Sequence, residues 1–188
     1  MTVSATTATQ TDVTLDDIRQ GIRDIPNFPK PGIVFKDITT ILNDPRLLAG
    51  SIDLMAQVLA DQDVEYIVGI EARGFIFGAA LAYKLGVAFV PIRKKGKLPS
   101  KTVSYEYELE YGEDCIEIHE DAIPEGGKVV LVDDLLATGG TAKASAALLK
   151  QIGADLTHML FLVELGFLAG RDGLPDDVTV NALVNYTS

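Results

Sequence analysis

The run Val129 to Thr141, VVLVDDLLATGGT, constrains the fold of this chain more than any other segment. Four apolar residues, Val129 to Val132, make a short buried strand. Asp133 and Asp134 stand where that strand is expected to end. A small turn follows, Ala137-Thr138-Gly139-Gly140-Thr141, and then an Ala-rich helix. A buried strand feeding a Gly-rich turn and a helix is the repeating unit of a parallel α/β sheet. In such sheets ligands bind in the crevice beyond the carboxyl ends of the strands. Backbone N–H groups leading into a helix N-terminus make an anion site. Two carboxylates just before it are of no use to a phosphate alone. They suit a ligand that also carries hydroxyls, or a bound Mg²⁺.

Flanking patterns extend the α/β reading. Tyr66 to Ile70 reads as a buried strand, Gly74 to Leu85 as a helix closed by Gly86, and Val87 to Ile92 as the next strand. This unit predicts parallel pairing through a right-handed crossover. Lys128 to Val132, Met159 to Val163 and Val178 to Val184 supply further strands, and the helix after Gly140 buries Ala144, Ala147, Leu148 and Ile152. Near the start, Thr14 and Asp17 form a capping-box pattern before Ile18 and Ile22. Pro26, Pro29 and Pro31 predict no regular structure, and Ile33 to Phe35 reads as a short extended piece. Asp44-Pro45 opens a helix with Leu48, Ile52, Met55 and Leu59 on one stripe. Tyr105 to Tyr111 alternates strictly, with Glu106, Glu108 and Glu110 on one face. It predicts a strand that pairs with Cys115 to His119 as a hairpin turning near Gly112. Residues 1–12 read as a disordered tail and 13–188 as a single domain.

Charge narrows the function. The net charge of −11 argues against nucleic acid and anionic membrane surfaces as partners. Yet Ala72 to Tyr105 contains no Asp or Glu, while it holds Arg73, Lys84, Arg93, Lys94, Lys95, Lys97 and Lys101. Gly96 and Pro99 break the run into a loop, which favours anion binding over a solvated strip. Cys115 is the only cysteine, so no internal disulfide is possible; with no signal-peptide pattern or apolar span, a cytoplasmic location is expected. P-loop, dinucleotide, HExxH and GxSxG signatures are absent. His119 and His158 are isolated and carry no assigned role, and the Asn185-Tyr186-Thr187 sequon reads as chance.

VVLVDDLLATGGT resembles the phosphoribosyl-pyrophosphate (PRPP) motif of type I phosphoribosyltransferases. Three more segments narrow the resemblance to adenine phosphoribosyltransferases: Phe28 to Ile38 (FPKPGIVFKDI), Glu71 to Gly78 (EARGFIFG) and Ile92 to Pro99 (IRKKGKLP). Leu109-Glu110-Tyr111-Gly112 is a fourth. The likeness runs from about Ile18 to the C-terminus, in the family's order.

The resemblance implies a mainly parallel central sheet flanked by helices, with a hood at about 25–40 and a mobile loop at about 94–112. It also implies transfer of the phosphoribosyl group from PRPP to adenine with Mg²⁺ held mainly by PRPP, giving AMP and pyrophosphate. By the same resemblance Asp133 and Asp134 accept hydrogen bonds from the ribose hydroxyls. Ala137, Thr138, Gly139, Gly140 and Thr141 hold the 5′-phosphate. Ala72, Arg73, Lys94 and Lys97 hold pyrophosphate, with a cis peptide between Glu71 and Ala72. Glu110, with Tyr111 beside it, handles the base proton, though alternation alone does not separate Glu110 from Glu106 and Glu108. Val34, Phe35 and Lys36 read adenine; many relatives carry Arg at the Lys36 position, so Val34 is the firmer assignment. A homodimer is expected. Transfer to another base and a PRPP-sensing regulator are the competing readings.

Overall fold

The computed structural model describes residues 12–108 and 113–188. The expected tail, apart from Asp12, and the LEYG segment with Glu110 and Tyr111 lie outside the described residues. The chain divides into two compact units, Met1–Leu54 and Met55–Ser188.

In the first unit, helix α1 (Leu15–Gly21) carries the expected capping box. The Asp17 backbone N–H donates to Thr14 Oγ1 (3.2 Å), and the Thr14 N–H donates to the Asp17 carboxylate (2.8 Å). Strands β1 (Arg23–Pro26) and β2 (Val34–Asp37) pair antiparallel, with Arg23 opposite Asp37 and Pro26 opposite Val34. This corrects the expectation of no regular structure through Pro26. A two-stranded ribbon has edges on both sides, and a proline at the last strand position leaves the ladder intact. A short helix, α2 (Thr39–Leu42), has no counterpart in the sequence reading. Helix α3 (Pro45–Val58) starts as predicted, with Asp44 Oδ1 accepting the N–H groups of Arg46 (2.8 Å) and Leu47 (3.2 Å). Its buried stripe differs by one position: Leu47 is buried and Leu48 half-buried.

The second unit is built on a seven-stranded sheet in the order β5-β6-β4-β3-β7-β8-β9. Its strands are β3 (Tyr66–Ile70), β4 (Ala88–Lys94), β5 (Thr102–Glu108), β6 (Glu113–His119), β7 (Lys128–Leu136), β8 (Asp155–Leu165) and β9 (Thr179–Tyr186). The five from β4 to β9 in that order are parallel, and the β5–β6 hairpin adds antiparallel at the β4 edge. Helices α4 (Gly74–Leu85) and α5 (Gly140–Gln151) follow β3 and β7.

Because side chains alternate along a strand, β3 and β7 bury both faces. Val68, Ile70, Leu131, Met159 and Phe161 join Ala144 and Leu148 of α5 in one core. On the other face α4 packs against β3 and β7, with Phe77 and Leu81 fully buried. Among the described residues no helix is long and apolar enough to cross a membrane.

Strand β7 outruns its expected end. The ladder with β8 continues through Asp133 and Leu135 to Leu136, whereas pairing with β3 stops at Val132. Asp133 and Asp134 therefore sit inside the strand, held on one side only. Apolar patterning could not reveal this, because the aspartates break the hydrophobic run while the backbone ladder goes on.

Candidate active site

The chain leaves β3 toward β4 on one side of the sheet, and leaves β7 toward β8 on the other. Strand order thus reverses between β3 and β7, and such a reversal opens a crevice at the carboxyl ends of the strands. Two of the segments predicted to bind ligand meet there. Glu71 to Arg73 follow β3, and the Glu71–Ala72 peptide is cis, as expected. Asp133, Asp134 and the turn 137–141 belong to the end of β7.

Arg73 and Asp134 join the two sides. Arg73 Nε donates to Asp134 Oδ2 at 2.5 Å; the Asp134 side chain is only 7% exposed and the Arg73 side chain 46%. The Asp134 N–H donates to Asp133 Oδ1 at 2.9 Å. Burial, followed by the adjacent Asp134 charge, raises the Asp133 carboxyl well above the ordinary carboxylate range. Gly74 makes this packing possible, since a Cβ there would lie 2.8 Å from both Asp133 Oδ1 and the Val132 carbonyl oxygen.

Beyond the aspartates, residues 135–142 line a cavity of about 110 Å³ with Asp133. Gly139 turns the chain at φ +81° into α5. The first N–H groups of that helix lack helical acceptors, and they carry the positive end of its dipole. The cavity can therefore hold a phosphate between backbone donors and the Thr138 and Thr141 hydroxyls.

A second cavity, of about 160 Å³, lies between β3, β4 and the hairpin, lined by Glu71, Arg93, Lys94, Tyr107, Asp114 and Thr141 among others. Glu71 accepts from Arg93 Nη2 (3.1 Å), Arg93 Nε (3.2 Å) and the Lys94 N–H (3.0 Å). The Arg93 guanidinium holds the Glu71 carboxyl below its usual range. Lys94 Nζ pairs with Asp114 Oδ2 at 2.9 Å.

These features match known proteins over most of the chain. A family model for the phosphoribosyl transferase domain matches residues 37–173. The adenine phosphoribosyltransferase of Trichormus variabilis is 55% identical over 172 residues, covering 90% of this chain and 99% of that protein. The crystal structure of the Thermoanaerobacter pseudethanolicus adenine phosphoribosyltransferase superposes with a TM-score of 0.88 at 54% identity, covering 92% of this chain and 100% of that one. The Saccharomyces cerevisiae enzyme, solved with adenine and an imino-altritol bisphosphate, superposes at 0.85 with 42% identity, covering 90% and 97%. The chain belongs to the adenine phosphoribosyltransferase family.

The type I phosphoribosyltransferase fold brings together Ala72, Arg73, Asp133, Asp134 and the turn 137–141, and sets Lys94 and the Lys97 backbone at the neighbouring edge. Val34, Phe35 and Lys36 lie on β2 of the first unit. Val34 is 47% exposed. Phe35 packs edge-on against Phe28, with ring centroids 5.2 Å apart. Lys36 Nζ pairs with Asp24 at 2.7 Å, so its charge is already engaged.

Several residues that shape this phosphoribosyltransferase site were not singled out by sequence. Buried Glu117 on β6 accepts the N–H groups of Lys97 (3.1 Å) and Leu98 (3.0 Å), which sets the path of the basic loop. These backbone bonds hold its carboxyl below the usual range against the opposing effect of burial. Glu164, at the end of β8, accepts two bonds of 2.6 Å from Arg171 and one of 3.0 Å from Asn185. Arg171 belongs to a 3₁₀ turn, Gly170–Gly173, that packs against the turn 137–141. A Cβ on Gly170 would lie 2.1 Å from the Ala137 carbonyl oxygen. Glu117 is flagged only by being an acid within an alternating apolar strand; the other contacts had no local signal.

Proposed function

We propose that this phosphoribosyltransferase moves the 5-phosphoribosyl group from PRPP to adenine, giving AMP and pyrophosphate, with the site residues sharing the work as follows. The observation that carries the reading is the Arg73–Asp134 pair across the strand-order reversal, with the phosphate turn continuing from the same β7. It sets a cation for a departing anion and carboxylates for a sugar beside one helix N-terminus.

In the reaction N9 of adenine bonds to C1 of the ribose as the C1–pyrophosphate bond breaks. Positive charge grows on the sugar and negative charge on the leaving group. The turn 137–141 anchors the 5′-phosphate. Asp133 and Asp134 accept from the ribose hydroxyls, and their charge favours the oxocarbenium-like sugar. Arg73, Lys94, Lys97 and the Ala72 backbone receive pyrophosphate. Fixing both ends of the sugar phosphate lines C1 up for attack. Glu110 takes up the proton load of the purine, with Tyr111 alongside, and the basic loop closes to exclude water. Val34, Phe35 and Lys36 read adenine; the FPKPGIVFKDI resemblance supports this, and Val34 remains the firmest member.

Mg²⁺ is the implied cofactor. Among the described residues no group of three or more His, Cys, Asp or Glu forms a metal cage. Asp133 and Asp134 nonetheless fit an ion that keeps most of its ligands on substrate oxygens, as Mg²⁺ prefers. When bound, the ion supplies charge neutralisation to pyrophosphate. A cytoplasmic homodimer completes the proposal. Family resemblance supports the dimer, and the lone cysteine agrees with a reducing compartment. Sedimentation analysis finding only monomers would refute the dimer.

The deciding experiment is turnover with a panel of bases. Formation of AMP from adenine and PRPP is expected, with hypoxanthine, xanthine and orotate at least a hundredfold poorer. Turnover of hypoxanthine but not adenine would overturn the base assignment. PRPP binding without product from any base would favour a regulator.

A further inference from the structure

One chain of side-chain contacts joins the two halves of the site. Thr141 Oγ1, in the phosphate turn, lies 3.2 Å from Tyr107 Oη. Tyr107 Oη lies 3.4 Å from Asp114 Oδ2, which also accepts from Lys94 Nζ at 2.9 Å. Asp114 Oδ1 accepts the Cys115 N–H at 2.9 Å.

Donor counting favours one direction along this chain. A carboxylate only accepts, and an ammonium only donates. Tyr107 has one proton, and a hydroxyl facing both a carboxylate and another hydroxyl gives it to the carboxylate. Tyr107 Oη then accepts the Thr141 proton. The order is Thr141 to Tyr107 to Asp114, with Lys94 donating to Asp114 from the other side. The lowered pKa of Asp114, despite its burial, agrees with an ionised acceptor at the centre.

The consequence rests on the function proposed above. A 5′-phosphate needs the Thr141 proton, and pyrophosphate needs the Lys94 ammonium. Both are committed to one carboxylate. We propose that Asp114 and Tyr107 form a latch that competes with substrate at both ends of the site: Asp114 holds Lys94 directly and Thr141 through Tyr107. When phosphate takes the Thr141 proton, Tyr107 loses the donor facing its oxygen and keeps its own bond to Asp114. Asp114 and Tyr107 are positioning residues.

Titration calorimetry with ribose 5-phosphate, and separately with pyrophosphate and Mg²⁺, reads each end alone. Tyr107→Phe is expected to tighten ribose 5-phosphate about fivefold, the scale of one released hydrogen bond, and to leave pyrophosphate within about twofold. Asp114→Asn is expected to tighten both. In the Tyr107→Phe background, Asp114→Asn should no longer affect ribose 5-phosphate yet still tighten pyrophosphate. Asp114→Ser repeats the test should the Asn variant fold poorly. Weaker ribose 5-phosphate binding by Tyr107→Phe would overturn the latch, because Tyr107 would then be supporting the turn. An Asp114→Asn gain in ribose 5-phosphate binding of equal size in both backgrounds would also overturn it, reducing Asp114 to a through-space charge. If the unmodified protein binds neither probe, the functional reading itself fails.

Discussion

Substituting one methyl group for a hydrogen at Gly170 is expected to disable the turn 137–141, proposed above to hold the 5′-phosphate. The new Cβ would stand 2.1 Å from the Ala137 carbonyl oxygen, 3.0 Å from its carbon and 3.1 Å from the Gly139 nitrogen. Carbon atoms pack at about 3.5 Å or more, so the two segments must part by more than about 1 Å. All three neighbours are backbone, and no side chain can rotate away. The opposing side is equally fixed, because Arg171 is held by Glu164 and by the Val180 carbonyl at 2.8 Å. Overpacking of this kind costs about 1–3 kcal/mol. A displacement of about 1 Å at a substrate-positioning segment costs about a hundredfold in rate. Gly170→Ala should therefore lower kcat/KM for PRPP about a hundredfold, with weaker ribose 5-phosphate binding. Gly173→Ala is the control in the same turn: its Cβ would meet only the Lys143 side chain, at 3.6 and 4.0 Å. Steady-state kinetics on both variants, with urea unfolding to confirm folding, decides the matter. Equal activity in the two would refute the reasoning that the 3₁₀ turn buttresses the phosphate turn.

Three further outcomes are expected. Asp133→Asn should raise the thermal unfolding midpoint at neutral pH while lowering kcat. The folded-state pKa of Asp133 is raised, so between the unfolded value of about 3.9 and the higher folded value the native state binds more protons, and stability falls as pH rises. The Asn variant lacks that fall, and a lower midpoint at neutral pH would contradict the assignment. Arg73→Ala should cost about 1–3 kcal/mol in urea unfolding, because it strips the partner from a largely buried Asp134 carboxylate; Asp134→Asn should relieve most of that loss in the double variant. Glu117→Gln should raise KM for PRPP severalfold with little change in kcat for AMP formation, since it loosens the loop that carries Lys97; unchanged kinetics would limit Glu117 to a fold role.

The strand–turn–helix units, their parallel pairing and the Gly-rich turn after β7 were legible in the chain alone. Local chemistry suffices for these: apolar runs bury, Thr14 and Asp44 cap, and Gly86 and Gly139 turn where φ is positive. The motif resemblance further gave the family and the cis Glu71–Ala72 bond. Tertiary structure decided what depends on a partner distant in sequence. Strand β7 runs past Asp134 because β8 continues beside it after β3 has stopped. Arg73 is engaged by Asp134, 61 positions away, and Thr141 by Tyr107, 34 positions away. Glu71, Asp114 and Glu117 gain their meaning only from the strand edge that faces them. A hydrogen bond needs about 3 Å and a suitable angle, and no spacing along the chain encodes either for residues on different strands. The sequence pointed to an anion-binding turn and a basic loop; only the folded sheet showed that one carboxylate, Asp114, bonds Lys94 and, through Tyr107, reaches Thr141.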